Sequence, residues 1–173
     1  MLCKSVNHLP LSRELTGGAS FEPKFDGFRG IAGIDSGGNV QIRSRQNRDL
    51  TTAFADIAAA VAHQLPPGTL VDGELVVWNG QQLDFSQLLR RLASPAKAAA
   101  LARARPASFV LFDVLQFAGE DLTGEPYRVR RRRLEAILPS LTPPLQIVPA
   151  TRDRAVAEQW FADYAAADIG IEA

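Results

Sequence analysis

Phe21-Glu22-Pro23-Lys24-Phe25-Asp26-Gly27-Phe28-Arg29 puts a lysine, an aspartate and an arginine within six residues, just before a candidate strand. Pro23 fixes its own φ and has no N–H, so it stiffens the approach to Lys24. Gly27 permits a tight backbone path, expected where a ligand comes close. Only three of the nineteen cations are lysines: Lys4, Lys24 and Lys97. A lysine amine can act as a nucleophile, and a guanidinium cannot. Its reference pKa makes deprotonation at neutral pH cost about 4.6 kcal/mol. Neighbouring cations, partial desolvation or a bound metal can supply that. The plainer reading of the same residues is a solvated Lys24–Asp26 ion pair beside a turn.

Outward from this stretch, Phe28–Ile34 and Val40–Ser44 read as strands joined by the turn cluster Asp35-Ser36-Gly37-Gly38-Asn39, a hairpin. Leu50, Phe54, Ile57, Val61 and Leu65 recur at spacings of 4, 3, 4 and 4. That predicts a helix ended by Pro66-Pro67, with Asp49 or Thr51 as its cap. A strand follows over 70–78, ended by Asn79-Gly80. Asp84 opens a short helix with Phe85, Leu88, Leu89 and Leu92 on its packed side, stopped at Ser94-Pro95. An Ala-rich helix is expected over 96–103. The most apolar run, 109–117, is the expected central strand. A helix over 127–138, a short strand over 145–148 and a helix over 153–167 complete the pattern. In the last, Val156, Trp160 and Tyr164 recur at steps of four. Ile169 to Glu172 reads as the opening of another strand. The stretch to Ser20 reads as irregular. The order predicts an α+β domain of mostly antiparallel sheets flanked by helices.

Composition removes several classes of function. With 173 residues the chain suits one domain, and 46% hydrophobic against 22% charged residues argues against disorder. No apolar run approaches the length of a membrane span, and no secretory signal pattern opens the chain. The lone Cys3 forbids an intrachain disulfide framework and fits a reducing compartment. Nineteen basic residues balance nineteen acidic ones, which rules out a wholly cationic surface but not a local basic groove. The chain holds no phosphate-binding G-x-x-x-x-G-K-[ST] loop, no G-x-G-x-x-G and no G-x-S-x-G elbow. His8 and His63 lack metal-ligand spacing and read as surface or core residues.

Lys24-Phe25-Asp26-Gly27-Phe28-Arg29 resembles the first motif of the covalent nucleotidyltransferases: ATP-dependent DNA ligases, RNA ligases and mRNA capping enzymes. The form Glu22-Pro23-Lys24-Phe25-Asp26-Gly27-Phe28-Arg29 is most similar to the bacterial ATP-dependent DNA ligases. Further blocks follow in the family's order. Ser44-Arg45 with Asp49-Leu50-Thr51 resembles the block after the first hairpin. Val71-Asp72-Gly73-Glu74-Leu75-Val76 resembles the third motif. Phe109-Val110-Leu111-Phe112-Asp113-Val114-Leu115 resembles the next, and Ile169-Gly170-Ile171-Glu172 the start of the fourth.

The resemblance implies an ATP-grasp-like nucleotidyltransferase (adenylation) fold and a set of roles. Lys24 would attack the α-phosphate of ATP, expel pyrophosphate and carry AMP. AMP would pass to the 5′-phosphate of nicked double-stranded DNA, and a 3′-hydroxyl would displace it to seal the nick. Glu22 would read the adenine amino group, and Phe112 would stack on the base. Glu74 would hold the ribose hydroxyls. Arg29 and Arg45 would contact ribose, phosphate or the DNA end, and Glu172 would assist Mg²⁺. The implied setting is the bacterial cytoplasm, close to the nucleoid, in repair, recombination or replication. The residues alone agree in part: alternation on a strand puts Asp72 and Glu74 on one face, with Leu75 and Val77 on the other. Phe112 by its neighbours alone would be core, and Arg45 a solvated rim charge.

Three features depart from the simple pattern. Asn47 stands where the second block usually has Gly, and Asn tolerates left-handed backbone. The run Arg128-Val129-Arg130-Arg131-Arg132-Arg133 reads first as a solvated basic helix face paired with Glu125 and Glu135, and second as a contact to DNA phosphates. Ala173 takes the place of the Gly that continues the fourth motif. The expectation is therefore an adenylation domain over residues 1–173, incomplete at its C-terminus and without an OB domain. Its activity would be impaired. The alternatives are an RNA ligase or capping-type enzyme, a non-catalytic nucleotide- or nucleic-acid-binding remnant, and a chain that does not fold stably.

Overall fold

A computed structural model describes residues 9, 19–167 and 170–172. Its strands are β1 (Lys24–Phe25), β2 (Phe28–Ile34), β3 (Val40–Ser44), β4 (Thr69–Asn79), β5 (Gln82–Leu83), β6 (Ala107–Phe117), β7 (Glu120–Asp121), β8 (Leu145–Ile147) and β9 (Ile171–Glu172). Its helices are α1 (Ala55–Gln64), α2 (Phe85–Ala93), α3 (Ala98–Ala104), α4 (Tyr127–Ile137) and α5 (Arg154–Ala167). The main sheet runs β3-β2-β4-β6-β7, with β5 added to β4 and β8 to β6. Among these pairings β8 on β6 is the parallel one, and the others are antiparallel. The α+β architecture of mostly antiparallel strands and flanking helices is thus what the residue pattern predicts.

Side-chain alternation gives the sheet two faces. One carries Ala32, Ile42, Val71, Leu75, Phe109 and Leu111, which pack with Ile57 and Val61 of α1 and Leu134 of α4. Burying each large apolar side chain there contributes about 1.5–3 kcal/mol. The other face carries a smaller cluster of Val76, Val110 and Val148, against which Phe25, Leu83 and Phe112 pack. Asp72 and Glu74 share this second face, so it is the one available for chemistry.

Two glycines let backbones close in. A Cβ on Gly73 would lie 2.7 Å from the Val110 carbonyl oxygen and 2.8 Å from the Phe109 ring. A Cβ on Gly27 would lie 2.3 Å from the Leu75 carbonyl oxygen. Gly27 therefore serves the approach of its own chain to β4.

The predicted elements hold with local corrections. Asp84 caps α2, accepting from the Gln87 N–H at 3.3 Å. α1 begins at Ala55, not beside Asp49 or Thr51. Those two form their own turn instead, with the Thr51 N–H on Asp49 Oδ1 at 2.9 Å, while Thr51 Oγ1 accepts from the Ile42 N–H at 3.0 Å. Pro95–Lys97 makes a 3₁₀ turn, so α3 starts later than expected. Leu89 is 51% exposed, and the buried partner of Leu88 on α2 is Arg91. Its guanidinium takes both oxygens of Asp56 at 2.9 and 3.0 Å, donates to the Arg105 carbonyl at 2.6 Å and lies over the Phe54 ring. On α5 Val156 is exposed and Ala157 is buried in its stead. His63 is an exposed surface residue, while Cys3, Lys4, His8 and Ala173 lie outside the described residues.

Candidate active site

Lys24 is set in place by residues distant in sequence. β1 pairs with β9, putting Lys24 opposite Glu172 and Phe25 opposite Ile171. The Asp26 N–H donates to the Gly170 carbonyl at 3.0 Å. Ile171 is buried, which anchors the short ribbon. Gly27 then lets the chain cross β4 closely enough for Lys24 and Glu74 to interact. The backbone of Glu172 thus lies beside the lysine, and its side chain is outside the described residues.

The strand register assembles the remaining charges. Arg29 of β2 pairs across from Glu74 of β4. Its guanidinium grips Asp72 through Nε at 3.0 Å and Nη2 at 2.6 Å, the two-pronged geometry of a strong ion pair. The same guanidinium lies 5.4 Å from the centre of the Phe112 ring. Glu74 is largely buried, and burial pushes its carboxyl up to about 7; Lys24 and Arg29 pull against that rise, and Asp72 and Asp26 add to it. A carboxyl that titrates near neutrality beside a lysine is a functional-site signature.

Glu22 is also partly buried. Its Oε1 receives the Tyr127 hydroxyl and lies 3.6 Å from Arg131 Nη1. Burial raises its pKa, while Tyr127 and Arg131 pull it back. Burial and the Glu22 charge together hold the Tyr127 hydroxyl protonated. Arg45 is exposed in the turn after β3, where Asn47 takes φ 62° as anticipated. Pairing of Gly30 with Ser44 puts that turn at the same end of the sheet as Arg29. Lys24, Arg29, Glu74 and Phe112 are therefore brought together, Glu22 joins through α4, and Arg45 stands at the rim.

The arginine run corrects its expectation. Arg130 and Arg131 point inward and are buried. Arg130 holds Asp113 at 2.8 and 2.7 Å and donates to the carbonyl, not the carboxylate, of Glu125 at 2.6 Å. Arg131 does pair with Glu135, at 2.8 Å, and also reaches the Val148 carbonyl at 2.7 Å. Tyr127 and Arg131 are thus site-adjacent residues that sequence reasoning missed. One signal was available: Asp113 inside an apolar strand demands a buried cation.

The family model described as "ATP dependent DNA ligase domain" matches residues 1–169. DNA ligase C2 of Mycolicibacterium smegmatis is 39% identical over 170 residues, covering 98% of this chain and 46% of that protein. DNA ligase C of Mycobacterium tuberculosis is 36% identical over 174 residues, covering 98% and 47%. A solved mycobacterial DNA ligase D complexed with ATP and MES superposes with a TM-score of 0.66 at 28% identity, over 88% of this chain and 46% of that one. The chain spans about half the length of the curated relatives it matches. It belongs to the ATP-dependent DNA ligase domain family, which favours the DNA ligase expectation over an RNA ligase or capping-type enzyme.

Proposed function

From that membership we propose that residues 1–173 act as the adenylation domain of an ATP-dependent DNA ligase, with Lys24 as the nucleophile. The observation that supports this most is the placement of Lys24 against Glu74, whose carboxyl burial raises to about 7. Lys24 gives up a proton and its Nζ bonds to the α-phosphorus. The bond from that phosphorus to the bridging oxygen breaks, and pyrophosphate leaves. Glu22 accepts from the adenine amino group, Phe112 stacks on the base and Glu74 holds the ribose hydroxyls. Arg29, and Arg45 at the rim, meet phosphate or the DNA end. The AMP so carried activates the 5′-phosphate of nicked double-stranded DNA.

Among the described residues no group of three acidic, histidine or cysteine side chains could hold Mg²⁺ on its own. Asp26 and Asp72 act on Glu74 through their charge, but both Asp72 oxygens are taken by Arg29. The ion would neutralise charge on the triphosphate. Among the described residues no helix is long and apolar enough to cross a membrane.

Incubation with Mg²⁺ and ATP labelled at the α-phosphate, followed by a denaturing gel, tests the assignment. The chain acquires label, Lys24→Ala acquires none, and label at the γ-phosphate does not transfer. Label persisting in Lys24→Ala refutes the assignment.

A further inference from the structure

Tyr127 touches both residues assigned above to the nucleobase. Its hydroxyl meets Glu22 Oε1 and lies 3.3 Å from the Phe112 carbonyl oxygen, yet it belongs to α4, which carries neither residue. Arg131, one helical turn on, aims Nη1 at the same Glu22 oxygen from 3.6 Å. Its Nε and Nη2 are fixed by Glu135 and the Val148 carbonyl. Nη1 itself is buried without a hydrogen-bond partner, so its charge is left to Glu22. Both side chains are only 10% exposed. One oxygen of Glu22 is therefore claimed by the protein. Among the described residues no donor reaches the other.

We propose that Tyr127 and Arg131 are positioning residues that fix one oxygen of Glu22, so that the other faces the base as an ionised acceptor and selects an exocyclic amine over a carbonyl. This rests on the assignment of Glu22 to the base. Adenine presents N–H there. Guanine presents an oxygen, and two acceptors facing each other in a desolvated site are both left unpaired. Loss of one fixing hydrogen bond lets the carboxylate rotate or take up a proton, and a protonated Glu22 can donate to guanine.

The test is equilibrium binding of the full chain, with Mg²⁺, to ATP, GTP and purine riboside triphosphate, which lacks the exocyclic amine. Wild type prefers ATP. Tyr127→Phe lowers the ATP-to-GTP preference roughly tenfold, and Arg131→Lys moves it the same way. The affinity of Tyr127→Phe for purine riboside triphosphate stays within about twofold of wild type. A merely structural role weakens all three nucleotides equally, and that result overturns the proposal. Glu22→Gln separates the two levels. If it loses the preference while Tyr127→Phe and Arg131→Lys keep it, the positioning role is wrong and the assignment of Glu22 stands. If Glu22→Gln keeps the preference, or if no nucleotide binds, the assignment fails and the positioning role falls with it.

Discussion

Glu74 carries a tension between stability and function that pH exposes. Its carboxyl titrates near 4.5 when unfolded and at about 7 in the fold, because burial disfavours the ionised form more than Lys24 and Arg29 favour it. Between those values the folded chain binds the extra proton, so stability falls as pH rises through this window. Below it the penalty is absent, and above it the full cost is about 3 kcal/mol. Glu74→Gln mimics the protonated side chain. It is expected to gain up to about 3 kcal/mol over wild type at about pH 8 and almost nothing at about pH 4. Urea denaturation of both chains at the two pH values measures this, and parallel behaviour at both would show that Glu74 does not ionise in a buried setting. The same substitution weakens ATP binding if Glu74 holds the ribose. The acid would then be retained for ligand contact at a cost in stability.

Elements bring the site together where the chain passes from β1 into β2, and this crossing beside β4 is tight at Gly27. A methyl there would stand 2.3 Å from the Leu75 carbonyl oxygen, which belongs to the central sheet and cannot yield. Gly27→Ala is expected to cost about 1–3 kcal/mol and to lift Lys24 away from Glu74. Thermal melting should show the loss, and the self-adenylation gel should show label reduced beyond what the melt explains. Retained labelling would mean that the crossing does not position the lysine. This crossing also marks where the sequence is legible. Local rules suffice for the β2–β3 turn, the Asp84 cap and the shared face of Asp72 and Glu74, because each is decided by residues a few positions apart. They fail for Arg91 and Arg130, whose carboxylate partners Asp56 and Asp113 lie 35 and 17 residues away. A guanidinium counts as solvent-facing until its partner is known, so periodicity puts Leu89 on the packed side where Arg91 belongs. Pairing of β1 with β9 joins nearly opposite ends of the chain, so motif order hints at it and periodicity does not.

At the scale of the molecule, part of the balance of nineteen cations and nineteen anions is taken up inside the fold, where Asp72, Arg91, Asp113, Arg130 and Arg131 are buried. Arg29, Arg43, Arg91, Arg130, Arg131, Arg133 and Arg154 all stand in ion pairs. The run over 128–133 is therefore less of a DNA-binding surface than its composition suggests, since two of its arginines face inward. Of its exposed members Arg128, Arg132 and Arg133, the first two line, with Arg152, a cleft of about 570 Å³ beside α4. Three solvated arginines can neutralise about three phosphates, and each contributes about 0.9 to the logarithmic dependence of affinity on salt. Nicked duplex binding to this chain is thus expected to be weak and to fall with a slope of about three, as fluorescence anisotropy across a salt series would measure. Replacing Arg128, Arg132 and Arg152 together should flatten it. A slope above about six would require cations beyond the cleft, such as the exposed Arg45 and Arg48 of the turn after β3.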